Sequence, residues 1–298
     1  MKEIIIILGP TASGKTALSI EIARKFDGEV INMDSMQVYK DLPILSAAPT
    51  KSEMGDIPHH LFGHVDAAHP YSTGEYILEA KRAIDGVLSR GKKAILVGGT
   101  GLYAHSLTQG MVETPPVPPE IRAKTRKLVE ADRKGQYNRL KKHDPYYASK
   151  IEANDIVRIA RALEVFEATG KSLSDWHAEE QPPILKNGSW QGIGLMPERE
   201  PVYEKITARF KAMVSNGGLQ EVEALWKRGL AEDLPAMKAL GIPNLIEYFE
   251  GRAPLDEAIS SAITQTRQYA KRQLTWLRNR AADWKKYPDA QSILRDLK

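Results

Sequence analysis

An α/β fold, with a parallel sheet flanked by helices and interrupted by an all-helical insertion, is predicted by three features of the chain. Apolar, strand-length runs alternate with helix-period segments through the first hundred residues. A glycine-rich phosphate-loop signature directly follows the first run. A proline-rich break near residue 115 then opens a stretch whose periodicity is helical only.

The elements follow in order. Ile4–Leu8 reads as a strand and Thr16–Lys25 as a helix. Glu29–Met33 is a second strand, ending at Asp34. Gly74–Ser89 carries apolar positions at Ile77, Ala80, Ile84 and Leu88, a helical spacing. Lys93–Val97 is a further strand, running into Gly98-Gly-Thr-Gly101. Thr114-Pro-Pro-Val-Pro-Pro119 continues neither helix nor strand, because its prolines fix φ and remove donors. Helical periodicity then extends to Gly170, a stop signal, with Ile156, Ile159, Leu163 and Phe166 forming one stripe. A second break at Gln181-Pro-Pro183 leads to a return strand at Gly192–Leu195, and amphipathic helices run on to about residue 280. The organisation expected is a catalytic core from residues 1–114 and 196–298, with a helical insertion at 115–195.

Composition narrows the class. The chain has 298 residues, 42% hydrophobic and 27% charged, the balance of a globular protein with room for a large core. It has no cysteine, so disulfides and thiolate metal sites are excluded, which fits a reducing cytoplasm. No apolar run approaches the ~20 residues of a membrane span, and a cytoplasmic monomer is expected. The net charge of +4 is unevenly placed. Residues 120–161 hold twelve Lys/Arg against six Asp/Glu, and residues 267–286 hold seven against one. Such segments are either a footprint for a polyanion or solvated helix faces. Arg158 and Arg161 share a helix face off the apolar stripe, and Arg267, Lys271 and Arg278 share another.

Three segments converge on the carboxyl edge of the predicted sheet, where ligands of such sheets collect. Gly9-Pro10-Thr11-Ala12-Ser13-Gly14-Lys15-Thr16 matches G-x-x-x-x-G-K-[ST] in full. A strand feeding such a turn aims backbone N–H groups and a helix N-terminus at phosphate oxygens; Lys15 bridges the phosphates and the Thr16 hydroxyl holds Mg²⁺. Asp34-Ser-Met-Gln37 follows the second strand. Asp34 is open to three readings there: a general base, a carboxylate behind the Mg²⁺, or a structural cap. The amide of Gln37 is able to read the edge of a base. In the third segment Thr100 offers a hydroxyl among three glycines, and Gly98 stands where a nucleotide hydrolase would carry an acid. His59, His60, His64 and His69 crowd one loop without a zinc-type spacing, and are read as a polar loop lining the cleft.

At these residues the chain resembles the tRNA dimethylallyltransferases, also called tRNA isopentenyltransferases. The likeness rests on GPTASGKT at 9–16, DSMQVY at 34–39, VGGTGLY at 97–103, NDIVRIARALEV at 154–165 and TRQYAKRQLTWLRN at 266–279, and spans nearly the whole chain. It implies a P-loop type fold whose helical insertion grips a tRNA anticodon stem-loop. The implied reaction moves a dimethylallyl group from dimethylallyl diphosphate to the exocyclic amine of the adenosine 3′ of the anticodon. Diphosphate bound at Gly9–Thr16 is then a leaving group, with Arg209 reaching it as well. Asp34 becomes the base, because the amine proton turns acidic only as the C–N bond forms. Thr100 lies near the reacting centre. Asp34, Ser35, Met36, Gln37 and Thr100 line the pocket for the unstacked adenosine. Arg158, Arg161, Arg267, Lys271 and Arg278 contact the RNA.

Some positions depart from the family pattern. Residue 157 is Val where many members carry a polar side chain, and Ala239-Leu-Gly-Ile-Pro243 lacks the usual aromatic after its glycine. No C-terminal zinc-finger extension is present, so the length resembles bacterial members. A small-molecule kinase, a prenyltransferase acting on free adenine nucleotides and an RNA-binding ATPase share the first turn. None of them accounts for both the Asp34 segment and a basic helical insertion.

Overall fold

Five consecutive buried residues, Ile4–Leu8, form β1, which lies between two other buried strands of the sheet. A strand buried on both faces needs no alternation of polar and apolar residues. The structure is a computed structural model that describes residues 2–112, 114–179 and 182–297; Gln181, placed in the second proline break, lies outside the described residues. After β1 come α1 (Lys15–Lys25), β2 (Gly28–Asn32), α2 (Lys51–Met54), β3 (His59–His60), α3 (Thr73–Ser89), β4 (Lys93–Gly98) and α4 (Gly101–Gln109). Five helices follow: α5 (Pro119–Ala131), α6 (Arg133–His143), α7 (Pro145–Ser149), α8 (Ile156–Thr169) and α9 (Leu173–His177). The chain then forms β5 (Trp190–Leu195), α10 (Arg199–Met213), α11 (Leu219–Lys227), α12 (Ile242–Phe249), α13 (Leu255–Arg280), β6 (Lys285–Tyr287) and α14 (Ala290–Asp296).

The sheet runs β3-β2-β4-β1-β5-β6, with every pairing parallel. Ile5 and Ile7 face a cluster with Leu18 and Ile22 of α1 and Ile293 of α14. The alternate residues of β1 therefore face the other side. Strand order changes direction at β1, so the carboxyl ends of β1, β2 and β4 open onto one crevice. The edge strands β3 and β6 escaped the sequence reading. Two or three residues with charged or histidine side chains carry no usable period.

The chain divides into one unit of Met1–Gln109 with Ile184–Lys298 and another of Gly110–Pro183. Strand β5 pairs with β1 along its length, from Ile4 opposite Trp190 to Leu8 opposite Gly194. The boundary expected at 195 therefore falls too late. The proline break at 182–183 marks the end of the helical unit, and the strand after it belongs to the sheet. Within the helical unit, Ile159 and Leu163 of α8 pack with Val129 of α5 and Leu140 of α6. Ile156, predicted in the same stripe, sits in the first turn and is 37% exposed. Gly170 ends α8 at φ 71°, the left-handed stop that its position predicts. Among the described residues no helix is long and apolar enough to cross a membrane.

Candidate active site

The first turn is built as its signature requires. It leaves β1, passes through Ala12 at φ 61°, and enters α1 from Gly14 at φ 85°. Two helices from the far end of the chain hold Thr11. Its N–H donates to Gln273 Oε1 at 2.9 Å, and its hydroxyl meets the Arg209 guanidinium. Lys15 Nζ folds over the turn to Pro10 O at 3.2 Å. Among the described residues nothing accepts the N–H groups of Ala12, Ser13 or Gly14, and the buried Ser13 hydroxyl also has no partner. Gly14 is open to water, but half-buried donors such as those of Ala12 and Ser13 are costly without acceptors, and an anion at a helix N-terminus satisfies them.

The second strand end is ordered by a residue the sequence reading missed. Asn32 Oδ1 accepts the Asp34 N–H at 2.8 Å, while its Nδ2 donates to Asp34 O and Leu61 O. Asp34 Oδ1 caps the Met36 N–H at 3.0 Å. Among the described residues its other oxygen has no partner, so a capping role leaves one oxygen for a proton. Thr100 Oγ1 accepts the Ser35 N–H at 3.0 Å, tying this strand end to the turn after β4. A Cβ on Gly98 would lie 1.9 Å from Met33 O, which explains why no acid occupies that position. Gln37 has a different task from the one expected. Its Nε2 donates to Ser46 O and Ala47 O, both at 3.0 Å, so its donors hold a loop instead of facing a base. Glu221 of α11 holds the same loop, accepting the Ile44 and Leu45 N–H groups at 2.7 and 2.9 Å.

These elements enclose a cavity of about 300 Å³. Thr11, Asp34 and Arg209 form a polar part; Ile206, Phe210, Met213 and Leu240 supply apolar wall. Burial lowers the Lys15 ammonium to about 8; Asp34 pulls it up and Arg209 pushes it down. Burial likewise lowers Arg209, with Asp34 acting in the opposite sense. Two half-desolvated cations, one carboxylate and an apolar wall suit a molecule with an anionic head and a hydrocarbon tail.

The family profile described as IPP transferase matches residues 37–280, and that of isopentenyl transferase matches residues 2–61. The chain belongs to the IPP transferase family. Among relatives of known name, the tRNA dimethylallyltransferase of Hyphomonas neptunium is 48% identical over 98% of this chain and 92% of that protein. The tRNA dimethylallyltransferase of a Bradyrhizobium species is 47% identical over 94% of this chain and 93% of its own length. Two solved structures are also similar. The tRNA isopentenylpyrophosphate transferase of Bacillus halodurans has a TM-score of 0.70 at 33% identity, covering 97% of this chain and 90% of that one. A eukaryotic dimethylallyltransferase acting on tRNA has a TM-score of 0.79 at 34% identity, covering 93% and 70%.

The basic residues expected of an IPP transferase divide into two sorts. Lys271 and Arg278 are exposed on α13; Lys271 lines a surface groove with Trp276 and Arg272, which also lines the cavity. Arg267, expected on the same face, is half-buried. It donates to Thr207 Oγ1 at 2.7 Å and lies over the Tyr203 ring, fastening α13 to α10. In the helical unit Arg158 is exposed and 3.5 Å from Asp155, whereas Arg161 donates to Thr114 Oγ1 at 2.7 Å and lies 3.8 Å from Glu164. The histidines depart from the expected cleft lining. His60, His64 and His69 pair with Glu29, Glu79 and Glu75, His59 meets Ile57 O, and none lines the cavity.

Proposed function

We infer that this enzyme transfers the dimethylallyl group of dimethylallyl diphosphate to the exocyclic amine of an adenosine in tRNA. One observation carries the reading: Thr11 of the donor-rich turn, Arg209 and the Asp34 carboxylate line one cavity beside an apolar wall, and the buried Lys15 of that turn interacts electrostatically with both Asp34 and Arg209. The likeness to named tRNA dimethylallyltransferases supports a dimethylallyl donor and a tRNA acceptor, and the family motifs in the sequence imply the adenosine 3′ of the anticodon.

Ser13, Lys15 and the free N–H groups hold the diphosphate, and Arg209 lies against it. The tail rests on Phe210, Met213 and Leu240. The adenosine amine attacks the terminal carbon, the C–O bond breaks with its electron pair leaving on diphosphate, and the amine proton passes to Asp34. The positive groups act where charge develops on the departing oxygens. Thr16 lies at the first turn of α1, and among the described residues its hydroxyl makes no bond to another side chain. With diphosphate oxygens it would hold Mg²⁺, a hard cation that takes oxygen ligands and neutralises the leaving group. A three-carboxylate cage is absent among the described residues, so the diphosphate itself would supply most of the ligands.

Ser35 and Met36 line the adenosine's side of the cavity, Thr100 braces Ser35, and Gln37 supports the loop beside it. Arg158, Lys271, Arg272 and Arg278 contact RNA phosphates; Arg161 chiefly holds the segment at Thr114 to α8, and Arg267 holds α13 to α10. The enzyme acts as a monomer in the cytoplasm, where its tRNA is found. The test offers labelled dimethylallyl diphosphate with tRNA and free AMP side by side. Label in tRNA at that adenosine supports the reading. Label in AMP alone, or in neither acceptor, rejects it.

A further inference from the structure

Gln273 touches neither reacting group, yet it joins the leaving-group turn to the turn after β4, which in turn braces the strand end bearing Asp34. The residue is 9% exposed on α13, and both ends of its amide are engaged. Oε1 accepts the Thr11 N–H at 2.9 Å, and Nε2 donates to Gly99 O at 3.0 Å. A Cβ on Gly99 would lie 2.1 Å from Nε2, so the bare glycine admits the amide. Turning the amide over would set N–H against N–H and carbonyl against carbonyl, so the two partners select one orientation.

One partner adjoins the leaving-group turn, and the other reaches the base through one further hydrogen bond. Thr11 precedes the donor-rich stretch that ends at Lys15. Gly99 precedes Thr100, whose hydroxyl holds Ser35 beside Asp34. We propose that Gln273 is a positioning residue, one buried amide that sets the separation between the leaving-group turn and the base-bearing strand end. The inference rests on the prenyl-transfer reading. A displacement of about 1 Å between reacting groups costs on the order of 100-fold in rate. Gln is suited because it offers one acceptor and one donor in a fixed plane; methionine offers neither, and an ionised glutamate only accepts.

Two variants test this. Gln273→Met should lower kcat about 100-fold and weaken inorganic pyrophosphate binding roughly tenfold, because Thr11 is released, while changing the KM for tRNA less than about twofold. In Gln273→Glu the carboxyl donates to Gly99 O only when protonated, and burial raises its pKa. The kcat of Gln273→Glu relative to wild type should therefore be highest at low pH and fall about tenfold per unit above that pKa. Lys15, Asp34 and Arg209 stand near the site in both proteins, and taking the ratio cancels what pH does to the wild-type reaction. Tyr269, one turn earlier on α13, is held far above this range by burial.

A pH-independent ratio overturns the inference, as does wild-type kcat and pyrophosphate affinity in folded Gln273→Met. If Gln273→Met does not fold, the Gln273→Glu ratio decides. If the wild-type protein transfers no prenyl group, the prenyl-transfer reading fails by itself. Pyrophosphate affinities of the folded variants then decide whether Gln273 orders the turn.

Discussion

Thr100 Oγ1 accepts the Ser35 N–H at 3.0 Å and lies 3.4 Å from the Ser35 hydroxyl, so the turn after β4 is tied to the strand end bearing Asp34. Thr100→Val keeps the shape and removes the acceptor. A half-buried N–H left unpaired costs about 1–3 kcal/mol, which the strand end relieves by shifting. The expected result is a kcat reduced at least about tenfold, with Thr100→Ser near wild type; steady-state rates of the two variants check it.

Asp34 both caps and reacts, and two substitutions separate these roles. Asp34→Asn retains an oxygen for the Met36 N–H but accepts no proton, so turnover should fall on the order of 10²–10⁴-fold with melting temperature and tRNA affinity nearly unchanged. Asp34→Ala should lose the cap as well and melt lower. A fast Asp34→Asn enzyme in single-turnover assays would show that the carboxylate is not the base.

Lys15 predicts a pH dependence of donor binding. Burial holds its amine at about 8 in the free protein, and bound diphosphate favours the charged form. Pyrophosphate affinity should thus be full below about pH 8 and fall with rising pH above it, by at most tenfold per unit, with one proton taken up on binding there. Titration calorimetry in buffers of different ionisation heat measures both effects. Lys15→Arg, charged throughout, should flatten the profile.

Glu221 anchors the loop that lines the cavity beside Leu45 and Ser46. Burial raises its carboxyl, with the two N–H groups acting against that rise. Glu221→Ala leaves both N–H groups without an acceptor, a loss of about 1–3 kcal/mol for each. A lower melting temperature and a raised KM for tRNA are expected, while pyrophosphate affinity in calorimetry stays within about twofold of wild type.

Arg158 and Arg161, alike in sequence, should behave differently. Arg158→Ala removes an exposed cation and should flatten the dependence of tRNA affinity on salt by about one unit of slope. Arg161→Ala breaks the contact to Thr114 and should mainly lower the melting temperature. Equal salt slopes for wild type and Arg158→Ala in filter binding would remove Arg158 from the RNA contact.

Local rules govern the part of this protein that is legible in its residues. A fully apolar run followed by G-x-x-x-x-G-K-T is readable as strand, turn and helix, since spacing and backbone chemistry within a dozen residues suffice. The same holds for the other central strands, the stop at Gly170 and the placement of Asp34 and Thr100 at one sheet edge. Which polar groups were already occupied emerged from the packing of distant segments. The side chains of Gln37, Arg161 and Arg267 find partners within the fold, and Asn32, Glu221 and Gln273 came forward as supports. A side chain's free valences depend on neighbours far along the chain, 262 positions away between Thr11 and Gln273. No periodicity records such pairings, because they arise when helices from the end of the chain pack against turns from its start.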